Sequence, residues 1–387
     1  MMTRREALRL AAACALWPQT SRGASVTVES VRSRLPKALP AGFASIIANA
    51  LNQDPTSFNT DWFGTVLMDG LLRWQPRAFP EARTFAQTWL DYHRKSTGVS
   101  KYSGPPSRSF NAGGVALTSY AGQYGISFPC FQLASRFGDD AARAVCIDVA
   151  NFILHQSARN RLGMVAHDDN AEFAIPDTCY FVAGPLMFAS TLSEKYGEVF
   201  RRQALIQLRT YTDVFLVKEK GLAKTVLLKA GLGETYWTRA SGWLLWSMIS
   251  VLEYLPAHAP ETEGILHDLK LLAEGLARVQ DAGGGFHVLL DDPKSPLETT
   301  GSAMFAMGLH EAIRNAWLPD SFGGLVARAW SFVQGNINGD GSIEHVYTAW
   351  AMPAEKRIIT MNRVTTGWVP GFILLAANEM TMDAGAR

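Results

Sequence analysis

Trp237-Thr238-Arg239-Ala240-Ser241-Gly242-Trp243 is the stretch around which the chain is organised. Two indoles six positions apart bracket one guanidinium, and Ser241-Gly242 leaves room for another group to approach the backbone closely. The run Leu244-Leu245-Trp246-Ser247-Met248-Ile249 is almost wholly apolar and reads as a buried helix. Trp237 and Arg239 are therefore expected on the loop or first turn that opens a core helix, aimed at a cavity. An Arg fork can hold a carboxylate through two parallel hydrogen bonds, and an indole face suits the C–H face of a sugar ring. The alternative is that both indoles are core residues and Arg239 donates to backbone carbonyls.

Working outward, long segments with 3.6-residue apolar periodicity follow one another from Ala41 onward, broken by loops containing Gly and Pro. The pattern predicts helices over 42–52, 61–74, 78–96, 112–123, 128–137, 139–156, 177–195, 197–215, 238–254, 261–280, 298–315, 320–335 and 363–380. Strand-like alternation is scarce, so the fold class is all-α, and the even spacing suggests stacked helical hairpins. A faint internal echo supports this. Gly163 to His167, Gly284-Gly285-Phe286-His287 and Gly339 to His345 each place a Gly-rich turn and a His between two long helices. Such loops at one end of paired helices are what an α/α toroid produces, with the cavity at that end.

The chain has 387 residues, 48% of them hydrophobic, and a formal net charge of +1. That length supports a large core in one barrel-type domain, and near-neutral charge without basic blocks argues against nucleic-acid binding. Met1-Met2-Thr3-Arg4-Arg5, the short apolar run Leu10 to Trp17, and the small residues near Ala24 read as a Tat-type export signal over 1–24. The domain then occupies 25–387, and the location is periplasmic or secreted. The apolar run is too short to span a bilayer. Cys14 would leave with the signal, and Cys130, Cys146 and Cys179 have neither disulfide nor zinc spacing, so buried thiols are expected.

Asp177 follows Pro176 and precedes an apolar run. It suits a helix N-cap, and at an inner helix that position also faces the cavity. Apolar neighbours would raise its pKa, as a general acid needs, while the helix N-terminus pulls the other way. His167-Asp168-Asp169 lies in the loop just before it, either as a solvated acidic turn or lining the cleft. Asp291-Asp292 reads as surface turn chemistry, and Glu298-Thr299-Thr300 as a helix cap. No phosphate-binding loop, zinc-protease or serine-hydrolase motif occurs.

Four stretches together resemble the unsaturated glucuronyl and rhamnogalacturonyl hydrolases, glycoside hydrolase families 88 and 105, and are closer to 105. They are Asp61-Trp62-Phe63-Gly64 to Leu71, Pro176-Asp177-Thr178-Cys179-Tyr180-Phe181, Trp237 to Trp243, and Leu297-Glu298-Thr299-Thr300-Gly301 to Phe305. Thr366-Gly367 to Met380 is similar to the family's last helix. The resemblance implies an (α/α)6 barrel with short strand-like loops at the cavity end, acting on sugars left by polysaccharide lyases. It implies that Asp177 protonates C4 of a vinyl ether, that Trp237 and Arg239 line the sugar site together with Trp243, and that no metal or organic cofactor is required. The partner is then an oligosaccharide, with no membrane span, in a monomer or homodimer.

Two departures stand out. The family's second Asp lies before the inner helix preceding the catalytic one, and the matching region is taken as Phe110-Asn111-Ala112 to Leu117, with Asn111 as substitute. Thr225 stands where the family has a His. Asp168 is then a candidate second carboxylate, with His167 beside it. A hydrolase of saturated glycosides using Asp177 with Asp168, and a non-catalytic sugar-binding barrel, are the rival functions.

Overall fold

The order of apolar helices settles into two concentric layers. The computed structural model describes residues 26–74, 79–96, 107–256, 258–352 and 355–382. Its thirteen α-helices among those residues are α1 (Val28–Arg32), α2 (Ala41–Leu51), α3 (Trp62–Trp74), α4 (Glu81–Lys95), α5 (Ser127–Phe137), α6 (Asp140–His155), α7 (Pro176–Leu192), α8 (Gly197–Phe215), α9 (Thr238–Leu252), α10 (Thr262–Val279), α11 (Thr299–Arg314), α12 (Gly323–Gly335) and α13 (Trp368–Met380). The proposed export signal over 1–24 lies outside the described residues. No helix among those described is long and apolar enough to cross a membrane.

Neighbour packing closes a ring. α3 packs on α5, α5 on α7, α7 on α9, α9 on α11, α11 on α13, and α13 returns to α3. These inner helices are apolar all round, as a helix with neighbours on every side must be. In α9 every residue except Ser250 is buried, and in α13 all from Trp368 to Glu379 are. The outer helices α4, α6, α8, α10 and α12 each pack on the inner helix that precedes them. They bury one stripe only: α8 hides Phe200, Ala204, Gln207, Leu208, Tyr211, Thr212 and Phe215, a helical period. α2 completes the outer layer near the turn after α12, where Ser45 Oγ donates to Gly339 O at 2.8 Å. This is an (α/α)6 barrel.

All six inner helices start at the same end, and the loops there carry short antiparallel hairpins. These are β1 (Ser109–Ala112) with β2 (Val115–Thr118), β3 (Leu216–Val217) with β4 (Leu222–Ala223), β5 (Leu227–Leu228) with β6 (Gly231–Leu232), β7 (Phe286–His287) with β8 (Leu297–Glu298), and β9 (Val346–Met352) with β10 (Glu355–Met361). The three Gly/His loops noted in the sequence all run from an outer to an inner helix at this end, with Gly163, Gly284 and Gly341 at positive φ. The expected helix over 112–123 is instead the β1–β2 hairpin followed by a 3₁₀ helix, Ala121–Ile126. Gly113 and Gly114, at φ +56° and +95°, turn the chain back where a helix would have to continue. The opposite end is sealed by charge: Arg73 meets Asp69 at 3.2 Å, and Arg314 and His310 meet Glu379 at 2.8 and 3.0 Å.

Small residues let α9 and α11 approach closely at the loop end. A Cβ on Gly301 would stand 2.1 Å from Thr238 Cγ2, and one on Gly242 would stand 2.9 Å from Met304 Sδ. The approach anticipated for Ser241-Gly242 is thus filled by Met304. Gly301→Ala is expected to lose about 1–3 kcal/mol of stability through overpacking, measured by denaturant unfolding. Gly335→Ala, where a Cβ meets nothing within 4 Å, should lose none.

Candidate active site

Asp177 is the second residue of α7, after Pro176 at the first helical position and Ile175 as cap. Its carboxylate does not cap the helix: Oδ1 is buried and has no hydrogen-bond partner among the described residues. Burial is the largest influence and raises its pKa to about 7, against the opposing pull of the Arg239 guanidinium and the Trp243 indole. A carboxyl group that holds its proton near neutrality, with one oxygen that meets no partner among the described residues, can deliver that proton to a ligand.

Arg239, in the first turn of α9, is 2% exposed and lies between two indoles. Its Cζ is 4.1 Å from the Trp237 ring and 4.7 Å from the Trp368 ring. Nη1 donates to Tyr347 O at 2.6 Å and to Thr300 Oγ1 at 3.4 Å, and lies 3.6 Å from Glu298 Oε1. Both readings of the opening motif are therefore partly realised: the arginine does bond a backbone carbonyl, and it does so beside Asp177. Burial pulls its pKa down, while Glu298 and Asp177 push it up.

Glu298 is the anchor of this arrangement and was read from sequence only as a cap. It is fully buried and caps α11, accepting from Thr300 N at 3.1 Å, from the Gly301 N–H and from the Thr300 hydroxyl. The same carboxylate faces Arg239, so one residue fixes both a helix start and the cation of the site.

Trp237 is held from behind by Thr225. The threonine hydroxyl accepts from Trp237 N at 3.0 Å and donates to Thr235 O at 2.9 Å. The indole Nε1 of Trp237 is buried without a partner. Trp243 is a core residue, edge-on to Trp62 and Trp246 and packed on Tyr180, Phe181 and Phe372. Trp62, half-buried, contacts both Trp243 and Trp368 and brings a third indole to the opening.

His167 is buried against Tyr120 and Phe173, with Nδ1 2.9 Å from Thr178 Oγ1. Burial lowers its pKa to about 3, so it is neutral and ties the loop to the first turn of α7. Asp168 is buried and accepts from Asn170 N at 2.7 Å, closing a local turn, and burial raises its pKa. Asn111 is not brought to this cluster. It is exposed on β1 and accepts from Gly114 N at 3.0 Å, while the hairpin tip rests on the outer helices through Asp148 and Arg94. The segment that leads into inner helix α5 is the 3₁₀ helix, which buries all its residues, the amide side chain of Gln123 among them. Asp61, cap of α3 and named in the sequence only within a longer stretch, is a second buried acid. It accepts from Phe63 N at 2.9 Å, and burial raises its pKa to about 7.

Comparison with known proteins accords with this fold. The Glycosyl Hydrolase Family 88 model matches residues 45–384. Unsaturated rhamnogalacturonyl hydrolase YesR of Bacillus subtilis (strain 168) is 28% identical over 262 residues, covering 65% of this chain and 70% of that protein. Among solved structures, a possible member of the GH105 family from Klebsiella pneumoniae has a TM-score of 0.74 at 18% identity, covering 94% of this chain and 98% of its own. The unsaturated glucuronyl hydrolase of Bacillus sp. GL1 has a TM-score of 0.66 at 14% identity, covering 93% and 100%.

Removing the Glu298 charge should leave Arg239 buried and uncompensated. Glu298→Gln is expected to cost about 3 kcal/mol of stability and to lower kcat/KM more than tenfold. Unfolding curves and steady-state kinetics on one preparation check both.

Proposed function

The chain belongs to Glycosyl Hydrolase Family 88, and from that premise we propose that it removes a 4,5-unsaturated uronic acid from lyase-generated oligosaccharides by hydrating the vinyl ether. One observation carries the reading: Asp177 holds its proton to about pH 7 with a free, buried Oδ1, beside a guanidinium walled by indoles.

In this reaction Asp177 gives its proton to C4, and the C4–C5 π electrons form the new C–H bond. Positive charge develops at C5 and is shared with the ring oxygen. Water adds at C5, and the ionised Asp177 takes a proton from it, which restores the acid. The C5 hemiketal opens by breaking its bond to the ring oxygen, which gives a C5 ketone and leaves a hemiacetal at C1. That hemiacetal collapses to an aldehyde, its C1–O bond to the aglycone breaks, and the aglycone leaves as an alcohol carrying the hemiacetal proton. Arg239 supplies the fixed positive field for the uronate carboxylate, and Trp237 with Trp62 offers flat walls to the ring. Hydrolysis of saturated glycosides by Asp177 with Asp168 has less support, because Asp168 is engaged in its own turn with Asn170. We also propose export through the twin-Arg segment. Arg4→Lys with Arg5→Lys should keep the protein out of the periplasmic fraction of an expressing bacterium.

Wild type should erase the vinyl-ether absorbance of lyase-made uronyl oligosaccharides, and Asp177→Asn should abolish that. Since the proton must be present on Asp177 at the outset, kcat/KM should fall as pH rises through about 7. The same raised pKa means the folded chain binds a proton that the unfolded chain releases above pH 3.8, so ionisation of Asp177 costs stability as pH climbs through that window. Retention of the absorbance band on pectin, ulvan and glycosaminoglycan fragments alike would overturn this function.

A further inference from the structure

Gln123 is fully buried in the 3₁₀ helix that packs against both α3 and α7. Its Oε1 accepts from Thr118 N at 3.3 Å, which fixes which way the amide faces. Its Nε2 is buried and has no partner among the described residues. A buried N–H without an acceptor costs about 1–3 kcal/mol, a loss that an acceptor brought in by a ligand would recover. Two hydroxyls nearby are in the same condition. Thr118 Oγ1, on the residue that holds the amide, has no partner, and neither has Thr65 Oγ1. Thr65 lies 2.9 Å from where a Cβ on Gly125 would stand, two residues beyond Gln123. The segment is tied to the start of α7: Ala121 N donates to His167 O at 2.8 Å, and His167 meets Thr178, the neighbour of Asp177.

We propose that Gln123 is a positioning residue whose Nε2 donates to an oxygen of the bound unsaturated uronide or of the water that attacks it. This rests on the function proposed above and narrows the substrate. With its carbonyl already spent, the amide can only donate. The substrate oxygen in front of it must accept, and an ether, O-methyl or O-sulfo oxygen serves as well as a hydroxyl. A carboxylate at the same place would repel a sulfate and could not bond an ether oxygen.

The test compares wild type, Gln123→Ala and Gln123→Glu on an unsaturated uronyl disaccharide and on its O-sulfo counterpart, with melting temperature measured alongside. Gln123→Ala should lower kcat/KM about tenfold on both, the worth of one hydrogen bond to a neutral group. Gln123→Glu should lose far more on the sulfated substrate than on the unsulfated one. It should also move the alkaline limb of the pH profile upward, because a second negative charge near Asp177 makes it hold its proton more tightly. A structural role alone would change melting temperature without that substrate difference or that pH shift. Wild-type rates and pH profiles in both variants overturn the proposal. Should wild type leave the vinyl ether intact, the proposed function fails and Gln123 is judged by calorimetry with the same two disaccharides. Tenfold weaker binding by Gln123→Ala then supports its role, and equal binding or none overturns it.

Discussion

A single buried cation, Arg239, organises the open end of the barrel. Burying a guanidinium is costly unless its charge and its N–H groups are met. Here the charge is met by Glu298, Nη1 by the Tyr347 carbonyl, and the two faces by Trp237 and Trp368. These partners come from three places in the chain: the start of α9, the cap of α11, and the stretch from Tyr347 in β9 to Trp368, the first residue of α13. The ring must therefore be closed before the cation is fully satisfied. Three consecutive inner helices are clamped at one end by the same group that faces Asp177.

The barrel's two ends divide the electrostatic work. Helix starts converge at one end and helix stops at the other. At the stops, Asp69, Arg73, His310, Arg314 and Glu379 neutralise one another. At the starts, the N–H groups of α11 are consumed by Glu298, but α7 has no such side-chain cap. Pro176 contributes no N–H there, and Oδ1 of Asp177 meets no donor among the described residues. The bonds its carboxyl does receive, from its own backbone N–H and from the Trp243 indole, lower its pKa less than burial raises it.

Much of the architecture could be read from the residues, because inner helices that are apolar on all sides and outer helices with one apolar stripe write different periodicities. The segment 112–123 failed that reading. Its apolar residues suit a helix by count, yet Gly113-Gly114 is a turn signal and Val115 to Thr118 is a strand. The same misreading displaced the site. Taking the hairpin as the approach to α5 singled out Asn111, whereas the approach is the 3₁₀ helix, whose buried residues include the amide of Gln123, eight residues beyond Val115. Glu298 was legible as a cap but not as the partner of Arg239, since fifty-nine residues separate them and only ring closure makes them neighbours. Thr225, read as a lost side chain, holds the backbone of Trp237.

The balance of charge explains why Asp177 is the group left to move a proton. Beside it stands the Arg239 guanidinium, which Glu298 already opposes while receiving two backbone N–H groups. Burial penalises a charge on Asp177 more than the Arg239 guanidinium favours it, so the carboxyl keeps its proton. In the proposed reaction the incoming uronate brings another carboxylate, which makes that proton harder still to lose to solvent. Transfer to C4 reverses the situation. The sugar acquires positive charge at C5 as Asp177 becomes an anion, and Arg239, fixed between its indoles, needs no rearrangement to stabilise the new anion. The energy spent on burying the acid is recovered only when the proton goes to the substrate, which is where a hydrating enzyme requires it.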